Sequence, residues 1–369
     1  MSKIREFIKS NVVMLIAALA ALVTSFIIPP DKEYLSYFDF KTLACLFSVL
    51  AVVCALRNIR FFYTLAKAIV RKFRTARLAI LALVYITFIG SMLIANDMAL
   101  LTFLPLGYFV LHTTKKDKYM AFTYIMQNIA ANLGGMLTPF GNPQNLYLYS
   151  KFNIPDLEFV SIMLLPFVVA VVLITVCCLV FVKSEPLEIE ERAASLPLPR
   201  VIIYLILFAI SILIVFKGIP YPIGLLIIVV SLLFLDRQAL RSVDYGLLLT
   251  FVFFFIFSGN MARIEAVRGF FSYLLEMNTL VFSALSCQFI SNVPSAILLS
   301  QFTDNYRELL LGVNIGGAGT LIASLASLIT FKEYTKQDPA HTFRYIIKFT
   351  LFNFAFLIIL ILVCLAFGI

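Results

Sequence analysis

Uncharged apolar stretches recur along the chain at 11–30, 42–56, 159–182, 201–216, 219–235, 245–260 and 349–369. A helix needs about 20 apolar residues to cross roughly 30 Å of hydrocarbon, and tilt or local thinning absorbs the shorter ones. The pattern therefore predicts an all-α polytopic membrane protein. With the N-terminus on the cytoplasmic side, nine crossings are expected at 11–28, 41–56, 119–150, 157–182, 200–216, 219–235, 245–259, 306–331 and 342–368, which leaves the C-terminus outside. The first follows the basic start Met1 to Arg5 and ends at Pro29-Pro30 with no small-residue cleavage site, so a retained helix is expected rather than a removed signal.

Two further uncharged segments carry a polar interruption where a spanning helix should be most apolar. They predict re-entrant hairpins at 78–114, broken at Ala95-Asn96-Asp97, and at 278–303, broken at Ser291-Asn292-Val293-Pro294-Ser295. Non-helical backbone at membrane depth is tolerated only where protein or a watery cavity satisfies its N–H and C=O groups, so both tips should line a cavity. An amphipathic stretch precedes each hairpin. In 59–75, Arg60, Lys67, Arg71 and Arg74 share one helical face and Phe62, Ile69 and Phe73 another; 261–276 carries Ile264, Val267, Phe271 and Leu274. Such helices lie in the interface plane, in contact with lipid.

An internal repeat organises these pieces. Asn132-Leu-Gly134-Gly135-Met-Leu-Thr138 reappears 182 residues later as Asn314-Ile-Gly316-Gly317-Ala-Gly319-Thr320. Each copy sits in a broken helix, 119–150 or 306–331, after a hairpin and before a final long helix. The predicted crossings give the copies opposite orientations: a first inverted repeat over 1–182, a cytoplasmic linker over 183–199 and a second repeat over 200–369. Inverted repeats with discontinuous helices are the signature of secondary transporters.

Charge changes the picture in one respect. A net charge of +9 would suit a nucleic-acid partner, but 22 of the 29 Lys and Arg fall in the predicted inside loops, while acidic residues divide almost evenly between the two sides. The bias is that of the positive-inside rule, so the basic balance reports membrane sidedness and no nucleic acid is expected. The orientation and composition suit a bacterial-type inner membrane. The six cysteines lie in apolar segments and read as small hydrophobes, and neither His112 nor His341 has the company of a metal site.

Candidate chemistry lies at the interruptions. Asp97 is the one carboxylate placed in neither a loop nor a helix end, and a charge at that depth costs several kcal/mol unless it is paired, solvated or protonated. It is a candidate Na⁺ or H⁺ site, with a structural cap on backbone N–H groups as the plainer reading. Gly134-Gly135 and Thr138-Pro139-Phe-Gly141-Asn142-Pro143-Gln-Asn145 break a crossing, which frees carbonyls for a cation and points a half-helix N-terminus at an anion. In the second half Asn314, Gly316, Gly317, Gly319, Thr320, Ser324 and Ser327 offer the same groups, a glycine-rich helix contact being the alternative. At the second tip Pro294 suits a first helical turn, and Ser291 or Asn292 can cap it. No P-loop, H-E-x-x-H or nucleophile–base pair is present, so an ion gradient is the expected energy source, with no cofactor and no enzymatic activity.

The tip Asn96-Asp97, the run Asn132 to Asn145, the tip Ser291 to Ser295 and the run Gly312 to Ser327 together resemble the citrate-transporter-like family of the ion transporter superfamily, which includes arsenical-pump membrane proteins, Na⁺/H⁺ antiporters and divalent-anion/Na⁺ symporters. The resemblance covers nearly the whole chain. It implies one Na⁺ site at Asn96, Asp97 and Gly134/Gly135, another at Ser291, Asn292 and Gly316/Gly317, substrate between the tips, and pairing of two copies as a homodimer. It also marks a departure, because dicarboxylate symporters carry Ser-Asn-Thr at both tips where this chain has Ala95-Asn96-Asp97 and Ser291-Asn292-Val293. The expectation is a secondary active transporter of a small anion of the carboxylate class, coupled to Na⁺ or H⁺ by alternating access, with arsenite efflux or Na⁺/H⁺ antiport as the alternative.

Overall fold

The computed structural model describes residues 11–187 and 196–368, so the basic N-terminal run and the acidic centre of the linker at 188–195 lie outside the described residues. These residues form helices and no β-strand, apart from one isolated bridge between Thr75 and Pro186. In chain order come α1 (Val12–Ile27), α2 (Phe40–Asn58), α3 (Phe61–Val70), α4 (Ala76–Ile94), α5 (Asn96–Thr113), α6 (Met120–Gly134), α7 (Pro143–Lys151) and α8 (Asp156–Phe181). After the linker follow α9 (Leu198–Val215), α10 (Tyr221–Leu235), α11 (Arg237–Arg241), α12 (Tyr245–Arg263), α13 (Glu265–Met277), α14 (Thr279–Ile290), α15 (Asn292–Leu299), α16 (Tyr306–Ile315), α17 (Leu325–Gln337) and α18 (Thr342–Ala366). The order of amphipathic helix, helix pair, interrupted helix and long helix occurs twice, as α3–α8 and α13–α18.

Local signals start these helices where apolar runs begin. Asp39 Oδ1 accepts from the Thr42 N–H at 2.9 Å, Asp244 Oδ1 from Leu247 N–H at 2.9 Å and Asn278 Oδ1 from Val281 N–H at 2.8 Å. Each satisfies a donor that a helix N-terminus otherwise leaves unpaired. Packing then selects which apolar faces turn inward. Leu50, Phe251 and Phe349 are buried, yet Ile16, Val172, Phe181, Ile206 and Leu362 are exposed. An outer surface as apolar as the core is stable only against hydrocarbon, and six helices among the described residues are long and apolar enough to cross it. The chain is an integral membrane protein.

Several expected bounds shift. The first crossing, expected at 11–28, is a 16-residue helix, and the crossing expected at 219–235 is α10 with 15 residues. The first interruption is tighter than Ala95-Asn96-Asp97: only Ala95 leaves the helical region, and Asn96 and Asp97 already open α5. The stretch 59–75 is helical only over Phe61–Val70, and Lys67, expected on an open basic face, is buried with its ammonium 4.7 Å from the centre of the Phe109 ring. The aromatic face attracts the cation and the long stem packs on apolar neighbours.

One charged tie fastens the loop after the first hairpin to the start of the linker. Glu185 accepts from Lys116 Nζ at 2.8 Å, Lys118 Nζ at 2.5 Å and the Tyr119 hydroxyl at 3.0 Å. These bonds hold its carboxyl at about 2 against an ordinary 4.5. A depressed carboxylate contributes stability above its unfolded value and loses it as pH falls through the folded one. The melting temperature of the wild type should therefore exceed that of Glu185→Gln above about pH 5, with the gap closing as pH falls from 4.5 toward 2; thermal unfolding in detergent across that range checks it.

Candidate functional site

Both helix pairs turn through a single strained residue. Ala95 has φ 67° and ψ 152°, Ser291 φ 74° and ψ 158°, a region that costs a side-chain-bearing residue about 1–3 kcal/mol. The residue after each turn is asparagine, and each uses its side chain alike: Asn96 Oδ1 accepts from Asp97 N–H and Asn292 Oδ1 from Val293 N–H, both at 2.9 Å. Asp97 and Val293 thus occupy corresponding places. Ser291, expected as a cap, accepts from no backbone N–H of the helix it precedes; its hydroxyl donates to the Asn292 side chain, at Oδ1, at 3.4 Å instead. Pro294 sits in the first turn of α15, as expected.

The two interrupted helices break at their glycines. After α6 a 3-10 turn over Gly135–Leu137 gives way to extended backbone at Thr138 and Asn142, and Pro143 opens α7. After α16 the chain is irregular from Gly316 to Ser324, where the Ser324 hydroxyl accepts from Ser327 N–H at 3.1 Å and α17 begins. Close backbone approach dictates the glycines. A Cβ on Gly134 would lie 2.2 Å from the carbonyl oxygen of Phe88 on α4, and one on Gly316 2.9 Å from Cα of Ala284 on α14. Gly141 and Gly135 cross so tightly that a Cβ on Gly141 would stand 2.4 Å from the Gly135 oxygen.

Tips and breaks meet in one buried network of uncharged amides. Asn96 Nδ2 donates to Asn132 Oδ1 at 3.0 Å. Asn142 Nδ2 donates to the Asn132 carbonyl and to Asn314 Oδ1, both at 3.2 Å, and Asn314 Nδ2 donates to Asn145 Oδ1 at 2.6 Å. Asn145 Nδ2 in turn reaches the carbonyls of Gly135, Met136 and Thr138 at 3.1–3.2 Å, acceptors that the break had left open. The second tip joins at Gly317, where a Cβ would lie 3.1 Å from Asn292 Nδ2 and 3.6 Å from Asn132 Oδ1, and at Ala323, whose carbonyl accepts from Asn292 N–H at 2.9 Å.

Around this network α5, α7, α15 and α17 begin while α4, α6, α14 and α16 end. Helix N-termini present N–H groups and partial positive charge, C-termini carbonyls and partial negative charge. Among them Asp97 is 3% exposed, and its Oδ1 is buried without a hydrogen-bond partner, as are Asn142 Oδ1 and Gln144 Oε1. Orphaned acceptors in a buried polar site are what a bound cation or protonated ligand would engage.

Other predicted residues lie at the rim. Thr138 donates to the Met92 carbonyl at 2.7 Å, tying the first break to the arm before Ala95. Ser295 bonds Ser286 at 2.9 Å inside the second hairpin, and Ser327 bonds Ser324 at 2.9 Å. Gly319, at φ 134°, and Thr320 fold over Gln288, while Pro139 and Pro143 bound the first break without side-chain bonds. Four residues were missed. Gln288 grips the second break, Nε2 donating to the Gly316 and Ala318 carbonyls at 2.8 and 3.2 Å and Oε1 accepting from Thr320 N–H at 2.9 Å. Gln144 reaches Asn314 Oδ1 at 3.4 Å, and Asn128 joins the halves through Ser327 at 3.4 Å and Asn353 at 3.3 Å. An amide side chain inside an uncharged stretch was the available signal for all of them.

A model of the citrate transporter family matches residues 1–305. The chain belongs to that family. The match takes in both tips and the first break and stops before the second break. This citrate transporter family member is 33% identical to "Uncharacterized transporter MJ0456" of Methanocaldococcus jannaschii over 296 residues, 80% of this chain and 81% of the relative. It is 28% identical to "Inner membrane protein YbiR" of Escherichia coli over 325 residues, 85% of each.

The glycine contacts give a paired test. Gly134→Ala must displace α4 backbone and should lower the melting temperature by the several degrees that an overpacking cost of about 1–3 kcal/mol produces. Gly269→Ala on α13 meets nothing within 4 Å and should leave stability unchanged or slightly raised; thermal unfolding of the two purified variants reads both.

Proposed function

We propose that this family member is a secondary active transporter of a small carboxylate anion, coupled to Na⁺ or H⁺ and working by alternating access between two oppositely oriented repeats. The observation that carries the reading is the convergence of both turns, Ala95 and Ser291, and both breaks on one buried amide network. A cation requires oxygen ligands, and the ends of α4 and α6 offer carbonyls beside the Asp97 carboxylate. An anion requires donors, and the N-termini of α5, α7, α15 and α17 provide them without a fixed positive charge that would hold it too tightly. Cation and anion then stabilise each other in the same pocket, which couples their movement.

The surface ties support the proposed sidedness. Asn58 with Asp236, and Glu185 with Lys116 and Lys118, join residues that the charge pattern assigns to the cytoplasm. Arg263 with Asp31 and Glu33, and Arg307 with Glu158, join residues assigned outside. No tie among the described residues joins one set to the other. A second reading, arsenite efflux or Na⁺/H⁺ antiport, is favoured by one feature: the charged side chain at the first tip is an acid, Asp97, and the corresponding Val293 offers no polar group to substrate carboxylate.

Proteoliposome flux separates the readings. An inward Na⁺ or H⁺ gradient should drive accumulation of labelled citrate or succinate; proton-linked Na⁺ or arsenite movement indifferent to carboxylates would replace the first reading by the second. Asp97→Asn should cut gradient-driven uptake by about 100-fold or more while leaving the melting temperature within a few degrees of wild type. Normal coupled flux in that variant would reduce Asp97 to a structural residue.

A further inference from the structure

A cavity of about 580 Å³ opens where the start of α2 meets the end of α7, closed by Phe255 and Gly259 of α12 and by Gln301. Two ammonium groups line it from different elements, Lys41 on α2 and Lys151 on α7. Neither forms an ion pair among the described residues. Lys151 Nζ lies instead over aromatic faces, 5.8 Å from the Tyr147 ring centre and 6.0 Å from that of Phe152. Neither carboxylate of the same cavity pairs with these lysines, and the guanidinium of Arg263, which also lines it, takes up Glu33. Asp39 binds the Thr42 N–H at 2.9 Å and its hydroxyl at 2.5 Å, and Glu33 lies 3.4 Å from Arg263.

Position ties this cavity to the central network. Helix α7 starts beside Asn142 in the network and ends at Lys151 in the cavity, nine residues later, a rise of about 13 Å. Tyr147, between them, bonds Ser300 at 2.9 Å, just past the second hairpin arm α15. The cavity is of the size that small-ligand sites occupy, about 300–1,000 Å³. Partly buried ammonium groups without a direct ion pair are costly even with Asp39 in the same cavity, and an anion bridging two of them offsets that cost where a neutral solute does not.

We propose that this cavity is a second anion site, in which Lys41 and Lys151 bind a small carboxylate on the outer side before it reaches the central network. The inference rests on the anion reading given above, and a binding measurement that needs no transport keeps the two separable.

The full chain in detergent is modified with an amine-acylating reagent, with and without millimolar citrate, succinate or acetate, and each lysine is followed by mass spectrometry. At least one of the three should slow modification of Lys41 and Lys151 several-fold relative to exposed Lys32, and NaCl of equal ionic strength should not. In proteoliposomes that take up the protecting anion, Lys151→Gln and Lys41→Gln should each raise the external KM about tenfold while maximal rate and melting temperature stay near wild type. Unchanged modification with all three carboxylates, or equal protection by NaCl, overturns the proposal. Protection without gradient-driven uptake would reject the transport reading and keep this site; uptake without protection would do the reverse.

Discussion

Every interrupted helix in a hydrocarbon solvent leaves backbone N–H and C=O groups that water cannot reach, and the arrangement of this chain follows from where those groups find partners. The two helix pairs turn at Ala95 and Ser291, and α6 and α16 stop at Gly134 and Ile315. Alone, each site would carry several unpaired groups at a cost of several kcal/mol. Brought together they satisfy one another: Asn145 takes up three carbonyls of the first break, Gln288 two of the second, and the Asn292 N–H finds the Ala323 carbonyl. The amides that do this are uncharged, so the network pays no ionic desolvation cost beyond that of Asp97.

The same constraint shapes the chemistry. Helix ends that face one network present carbonyls from one set of termini and N–H groups from the other, the arrangement on which the proposed binding of a cation and an anion side by side rests. Close approach is its precondition. Gly134 against Phe88, and Gly316 against Ala284, let the broken helices lie directly on the first hairpin arms, and a methyl group at either position would push the network apart. The two halves are not chemically equal, since Asp97 stands where the second half has Val293, so any ionic coupling is concentrated at the first turn.

Much of this was legible in the sequence because the bilayer makes interruptions conspicuous. A run of apolar residues broken by Asn96-Asp97 or by Gly134-Gly135 has few interpretations, and the repeat of Asn132 to Thr138 as Asn314 to Thr320 marked both breaks together. What was not legible depended on side-chain direction. Lys67 read as one of a basic face, yet it packs over Phe109; Ser291 read as a cap, yet its left-handed backbone points the hydroxyl at its neighbour; Gln144 and Gln288 drew no role of their own until the fold turned their amides onto Asn314 and the second break. Cavities between elements distant in sequence, such as that between Lys41 and Lys151, have no sequence signature at all.

The central claim is that the interruptions of the two halves share one buried network, and at Gly317 they approach closely enough that a Cβ there would lie 3.6 Å from Asn132 Oδ1. Paired cysteines, Asn132→Cys with Gly317→Cys, in a background free of the six native cysteines, test it with a short thiol cross-linker after a protease site in the linker has separated the halves. The account predicts that the halves stay joined on a denaturing gel in the double variant and come apart in each single one. Separation of the halves in the double variant, with both cysteines shown to be reactive, would contradict it.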